Sequence, residues 1–184
     1  MPVADPRIRH FLALDPPPSV RAGLKRCRLA RGDEQARRVH PADWHMTLVF
    51  LGIGYTAEAI VAAVEPVVAA SPGFDLRLEV AGHWRHGGIA WMGLPDRPAP
   101  LIALQAALVA VLEPLGHRPG HLPFQPHVTL ARRAASPPVP GGIPTWPVRA
   151  VTLMRGVEPM ADRGPRYEKL RALPLGVSRP AGGA

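Results

Sequence analysis

Pro126-His127-Val128-Thr129-Leu130-Ala131-Arg132 is the stretch on which the fold turns. Val, Thr and Leu suit a pleated surface and Pro126 can stand only at a strand start, so the stretch reads as a short β-strand. Side chains alternate along a strand, which puts His127 and Thr129 on one face and turns Val128 and Leu130 toward a core. Trp44-His45-Met46-Thr47-Leu48-Val49-Phe50-Leu51-Gly52 repeats the arrangement 82 residues earlier. Eight His and five Thr in this chain give ~0.2 His-x-Thr triplets by chance. Two are present, each running on into Leu within an apolar strand, and a repeated unit is the better explanation. One such triplet alone would read as half-buried sheet residues. A matched pair reads as one site built from two strands.

The segments around these strands set the fold class. Ile8 to Leu14 reads as a first strand, followed by a helix capped by Asp15 or Ser19 and running to about Ala30, with Val20, Leu24 and Cys27 inward. The Arg26, Arg28 and Arg31 cluster reads as a solvated helix end, and Gly32 to Arg38 as a polar loop. Thr56 is the expected cap of a helix from Ala57 that Pro66 should kink or end. Phe74 to Val80 alternates as a half-buried strand, with Ile89 to Leu94 as its partner after a Gly82–Gly88 turn. Leu101, Leu104, Leu108, Val111, Leu112 and Leu115 hold helical spacing over Pro98 to Gly116, where Gly116 suits the C-terminal cap. Ala134 to Pro147 is a Pro/Gly-rich loop, Val148 to Met154 and Tyr167 to Leu173 read as the last strands, and a tail from Gly176 is expected to fray. Strands and helices mixed without strict alternation define an α+β fold. The repeat implies two lobes related by a pseudo-twofold axis and facing each other across a cleft, in one domain spanning residues 1–184.

Composition bounds the partners. The 184 residues suffice for one domain with its own core. With 18 glycines and 24 prolines the chain still falls short of low complexity. The formal net charge of +8 suits an anionic partner such as nucleic acid, although a chain rich in Arg, with Lys25 and Lys169 as its only lysines, also suits GC-biased coding. A single cysteine, Cys27, excludes an internal disulfide and fits a reducing cytoplasm. The N-terminal residues lack a signal-like apolar core. The longest apolar run, Ala57 to Ala70, is broken by Glu58, Glu65 and Pro66 and is too short for a bilayer. A monomeric cytoplasmic protein with no membrane association is expected.

Two histidines facing one cavity can divide acid and base work, since imidazole exchanges protons near neutrality. Hydrolysis of a phosphodiester needs both: a neutral His to take a proton from water and a protonated His to deliver one to the leaving oxygen. Thr47 and Thr129 can donate to non-bridging phosphoryl oxygens, and Arg132 adds a forked cationic donor. This chemistry needs no metal or other cofactor. His83-x-x-His86 and the His117/His121 pair have ligand-like spacings, but no Cys or carboxylate cluster completes a coordination set, and they read as loop or surface histidines.

With these motifs in place, the chain resembles the two-histidine (2H) phosphoesterase superfamily, in particular its RNA 2′,3′-cyclic phosphodiesterase branch, the LigT/ThpR-like proteins also called 2′-5′ RNA ligases. The resemblance runs nearly end to end. It rests on His10-Phe11-Leu12-Ala13-Leu14-Asp15-Pro16, on both His-x-Thr strands, and on Gly164-Pro165-Arg166-Tyr167-Glu168-Lys169-Leu170 as the closing strand. It implies two antiparallel sheets with helices outside and a catalytic cleft between the lobes. The implied reaction is hydrolysis of a terminal 2′,3′-cyclic phosphate on RNA to a 2′-phosphate, with His45 as general acid, His127 as general base, and Thr47, Thr129 and Arg132 on the phosphate. Sequence alone leaves the acid and base roles exchangeable. Gly82-His83-Trp84 stands where the family has a Gly followed by an aromatic, so Trp84 is a candidate base-stacking residue or, equally, a core aromatic. Competing readings are 2′-5′ RNA ligase or 2′-5′ phosphodiesterase activity and a non-catalytic RNA-binding module. A nucleotidyl-transfer ligase needs an activated lysine, and neither lysine lies in such a motif. Pure binding has no use for two poised imidazoles.

Overall fold

Both motif strands form, and they meet at the centre of the molecule. The structure is a computed structural model that describes residues 8–29, 33–120, 123–158 and 164–177. In chain order the strands are β1 (His10–Leu14), β2 (Arg37–Arg38), β3 (Met46–Gly52), β4 (Phe74–Leu76) and β5 (Val80–Trp84). They continue with β6 (Ile89–Gly93), β7 (His127–Arg132), β8 (Trp146–Val148), β9 (Ala150–Gly156) and β10 (Tyr167–Pro174). One eight-stranded antiparallel sheet runs β10-β9-β1-β3-β7-β6-β5 and has two halves, β10-β9-β1-β3 and β7-β6-β5. A single register pair, Met46↔Val128, joins them. Beyond that pair β3 leaves β7, and β2 takes the vacated edge, with Arg37 opposite Arg132 and Arg38 opposite Ala131. The halves therefore diverge from a shared seam, which opens a cleft on one face.

Helices α1 (Pro18–Arg26), α2 (Ala57–Ala70) and α3 (Ala99–Leu112) complete the architecture. Met46, Leu48 and Val128, on the face away from the motif histidines, join one core cluster with Val20 and Leu24 of α1, Ile60 and Val64 of α2, and Leu101 and Leu104 of α3. Among the described residues no helix is long and apolar enough to cross a membrane.

The α+β class and the two-sheet layout agree with expectation; several elements are displaced. Asp15 does not cap α1, whose first residue follows Pro17 without a side-chain cap; its carboxylate instead accepts hydrogen bonds from Arg21 and Lys169. Thr56 does cap α2, its hydroxyl accepting from Ala59 N–H at 3.2 Å. Pro66 does not end that helix. Burial of Val64 and Val68 on either side outweighs the one missing N–H, and the Ser71 hydroxyl closes the end by donating to the Val67 carbonyl at 2.8 Å. The alternating run Phe74 to Val80 is split: β4 pairs with β8 in a separate two-stranded sheet, whereas Val80 opens β5. Gly82 to Trp84 consequently lie in a strand and not in the turn. Leu115 falls in a short 3-10 turn and is exposed. Gly176 donates its N–H to Ser71 O at 2.8 Å, so the chain is held that far. Arg31 and His121 lie outside the described residues.

The two motif strands share an extra residue at the same place, and β3 has a second irregularity at Leu51. Ala13 pairs with Thr47 and Leu12 with Val49, leaving Leu48 bulged. Trp91 pairs with Thr129 and Ala90 with Ala131, leaving Leu130 bulged. Both bulged leucines are buried. A bulge displaces the alternation by one residue, so positions 45, 47 and 50 share the cleft side of β3, and positions 127, 129 and 132 share that of β7. At these positions the two motif strands match at the offset of 82.

Candidate active site

The cleft at the seam has a volume of about 2260 Å3 and is lined by His45, Thr47, His127, Thr129 and Arg132 among others. Five of the six residues singled out from the sequence thus share one surface. Each imidazole is held alike, by the carbonyl two residues before it: His45 Nδ1–H donates to Asp43 O at 2.6 Å and His127 Nδ1–H to Gln125 O at 2.7 Å. That bond fixes the tautomer and leaves Nε2 of each ring as the reactive nitrogen. His45 Nε2 already accepts from the Thr47 hydroxyl at 3.1 Å.

The rings are walled by aromatics. Phe11 and Tyr167 flank His45 with centroids 4.9 and 5.2 Å away, the tyrosine edge-on at 90°. Trp84 stands edge-to-face against His127 at 4.5 Å and touches Trp91 at 5.3 Å. Trp84 is not among the residues lining the cleft. The aromatic that does project into it is Phe50, which is 59% exposed.

Burial pushes both imidazoles below the ordinary value near 6.5. For His45 the bond to the Asp43 carbonyl and the negative charges of Asp43 and Asp15 act in the opposite direction, while His127 adds to the lowering. For His127 the Gln125 carbonyl raises and the Arg132 guanidinium lowers further. His45 therefore has acidic neighbours that favour a proton, and His127 has a cation that disfavours one.

Exposed arginines surround the cleft: Arg37, Arg38, Arg132 and Arg133 on one wall, Arg166 on the other. Arg155 also lines it but is paired with Glu168 at 2.7 Å. Among the described residues no group of three His, Cys, Asp or Glu side chains is placed to hold a metal. The His83 ring bonds the Ala134 carbonyl at 2.8 Å, and His117 is buried.

Sequence reasoning passed over Asp43, Phe50 and the arginines of β2. Phe50 had a signal, since it stands three residues after Thr47 as Arg132 stands three after Thr129. Strict alternation hid it, because only the bulge brings position 50 into the cleft. Arg37 and Arg38 carry no apolar period, so nothing marked them as a strand.

Two halves of an antiparallel sheet meeting at one register pair, each presenting a His and a Thr at the seam, constitute the fold of the two-histidine phosphoesterases. The chain belongs to the 2′-5′ RNA ligase superfamily, whose family model matches residues 16–155. It is 32% identical over 150 residues to the RNA 2′,3′-cyclic phosphodiesterase of Escherichia coli, covering 79% of this chain and 85% of that protein. It is 31% identical over 182 residues to the RNA 2′,3′-cyclic phosphodiesterase of Thermus thermophilus, covering 91% and 90%. The crystal structure of E. coli LigT in apo form matches with a TM-score of 0.76 at 30% identity, over 95% of this chain and 99% of that one.

Proposed function

We propose that the protein, acting as a single two-lobed domain, hydrolyses the 2′,3′-cyclic phosphate at the end of an RNA strand to a 2′-phosphomonoester, without a metal. The observation that carries this reading is the pair of imidazoles in one arginine-rimmed cleft, each with Nδ1–H committed to a carbonyl and Nε2 left for chemistry. Neutral His127 takes a proton from water through Nε2 while the water oxygen bonds to phosphorus. The P–O3′ bond breaks, and protonated His45 gives its Nε2 proton to O3′. The unequal charge around the rings favours this assignment of acid and base over its reverse. Thr47, Thr129 and Arg132 stabilise the non-bridging oxygens as negative charge builds on them.

The cleft exceeds the roughly 300–1000 Å3 of small-molecule pockets, and its exposed arginines suit a polyanion, both of which favour an oligonucleotide end. E. coli LigT has also been crystallised with 3′-AMP, consistent with a nucleotide in a cleft of this kind. Phe50 offers the terminal base an apolar face, and Trp84 supports His127 from behind. Both histidines come from one chain, so a monomer contains the whole site. Ligation through a lysine adduct is disfavoured: Lys169 is tied to Asp15 at 2.6 Å and does not line the cleft.

The test uses a short RNA ending in a 2′,3′-cyclic phosphate, incubated with protein in EDTA beside His127→Ala. Opening to a 2′-phosphate, read by mass and phosphatase sensitivity and absent from the variant, supports the reading. Full activity in His127→Ala, or dependence on added metal, refutes the mechanism.

A further inference from the structure

Asp43 belongs to neither motif, yet three parts of the site converge on it. It ends a short 3-10 turn, Pro41–Asp43, and is only 5% exposed. Its carbonyl orients His45. Its carboxylate accepts the backbone N–H of Arg166 at 3.0 and 2.9 Å and that of Tyr167 at 3.2 Å. Tyr167 in turn packs its ring against both His45 and Phe11, 5.2 and 5.0 Å away. One residue thus fastens the start of β10 and the ring of His45 to the same turn.

The matched position in the other lobe is Gln125, 82 residues on. Its carbonyl performs the same service for His127, but its side chain is exposed and carries no charge. The ionisable groups near His45 are Asp43 on its own turn, Asp15 beyond β1, His127 on β7 and Tyr167 on β10. Asp15, ion-paired to Arg21 and Lys169, favours the His45 proton less than Asp43 does. Asp43 has no cationic side-chain partner among the described residues; backbone N–H groups alone compensate its burial. Such a charge acts at short range on the nearest titratable ring.

We propose that Asp43 is a positioning residue of the reaction, which locks His45 and Tyr167 into one unit and biases the proton of the histidine pair toward His45. This rests on the acid role given to His45, but its decisive readouts are independent of turnover. The first is the side-chain NMR titration of both histidines in the whole protein and in Asp43→Asn. Loss of the charge should move the His45 midpoint to lower pH and leave that of His127 in place. The alkaline limb of kcat/KM should move the same way, with kcat at neutral pH falling by about 10- to 100-fold from misplacement of the ring. An unmoved His45 midpoint overturns the charge role.

The second readout needs no variant. The Arg166 and Tyr167 amides should exchange slowly with solvent in the wild type, and exchange as fast as in a free peptide overturns the clamp. Should the wild type open no cyclic phosphate, the functional reading falls, while the titration and the exchange still decide the role of Asp43.

Discussion

Gly82→Ala tests whether the wall behind His127 matters to catalysis. Gly82 lies in the interior of β5, where glycine commonly marks a close approach. A Cβ built there would stand 2.0 Å from Cζ2 of Trp91 and 2.3 Å from Cε2 and Cη2. Carbon atoms pack at about 3.5 Å or more, so the indole must retreat by roughly 1.5 Å. It has little room: Trp91 is buried, and a Cβ at Gly93 would already lie 2.7 Å from its Cζ3. The displacement must pass to Trp84 and His127, whose centroids lie 5.3 and 6.2 Å from Trp91. Overpacking of this kind costs about 1–3 kcal/mol, which lowers Tm by about 2–12 °C in a domain of this size. A shift of about 1 Å in a reacting group can cost ~100-fold in rate.

The assay pairs thermal melts with kcat measurements on the cyclic-phosphate RNA for Gly82→Ala and Gly120→Ala. Gly120 has nothing within 4 Å of its would-be Cβ, so its variant should stay within about 0.5 kcal/mol of wild type. Adding Trp91→Leu to Gly82→Ala should recover much of the lost stability without restoring kcat, a coupling that isolates the contact. Wild-type melting and turnover in Gly82→Ala would refute the packing argument.

Other perturbations probe the same cleft. Because burial lowers both imidazoles, and because the base must be neutral and the acid protonated, kcat/KM should rise as pH passes the His127 value, fall as it passes the His45 value, and peak on the acid side of 6.5. Arg132→Gln removes a cation that disfavours the His127 proton, so the acid limb should move to higher pH; a pH-rate series in which it moves the other way contradicts the assignment. Phe50→Ala should raise KM for a base-bearing end by about 5- to 150-fold, the range for loss of one stacked base. Phe50→Tyr should restore it; an unchanged KM in the alanine variant excludes stacking there. Arg37→Ala and Arg38→Ala should each flatten the salt dependence of oligonucleotide binding, by a slope of about 0.7 per lost phosphate contact. Parallel plots against log salt would place the strand elsewhere.

The sequence was most legible where one pattern carried both fold and site. His-x-Thr inside an apolar run declares a strand, a face and a chemistry at once, and the four residues found that way line one cleft. Thr56 and Gly116 were legible because capping is local. Long-range events were not. Whether Phe74 to Val80 makes one strand or two depends on β8, some seventy residues away. The fate of Pro66 depends on what Val64 and Val68 bury against. Trp84 read equally as a base-stacking residue and as a core aromatic, because the sequence cannot say which side of a hairpin faces the cleft. Bulges at Leu48 and Leu130 are invisible to a period-two reading, yet they decide that Phe50 and Arg132 enter the site.

In the proposed reaction, a scaffold repeated at an offset of 82 residues must do asymmetric chemistry. A cyclic phosphodiester presents unlike things to its two flanks: attacking water on one side, and the leaving O3′ on the other. Two identical half-sites would hold two imidazoles with equal appetite for a proton, and neither acid nor base would be specified. Here the two motifs repeat the same carbonyl on Nδ1, the same threonine and the same bulged leucine. The exceptions fall where symmetry must be broken. Asp43 stands against Gln125, placing negative charge beside His45 alone, and Phe50 stands against Arg132, placing positive charge beside His127 alone. Both differences push the proton in the same direction. In the proposed function the same difference, Phe for Arg, gives one wall an apolar face for a base and the other a fork for a phosphate. In the proposed mechanism, two side-chain differences on a repeated frame thus distinguish acid from base and base-binding wall from phosphate-binding wall.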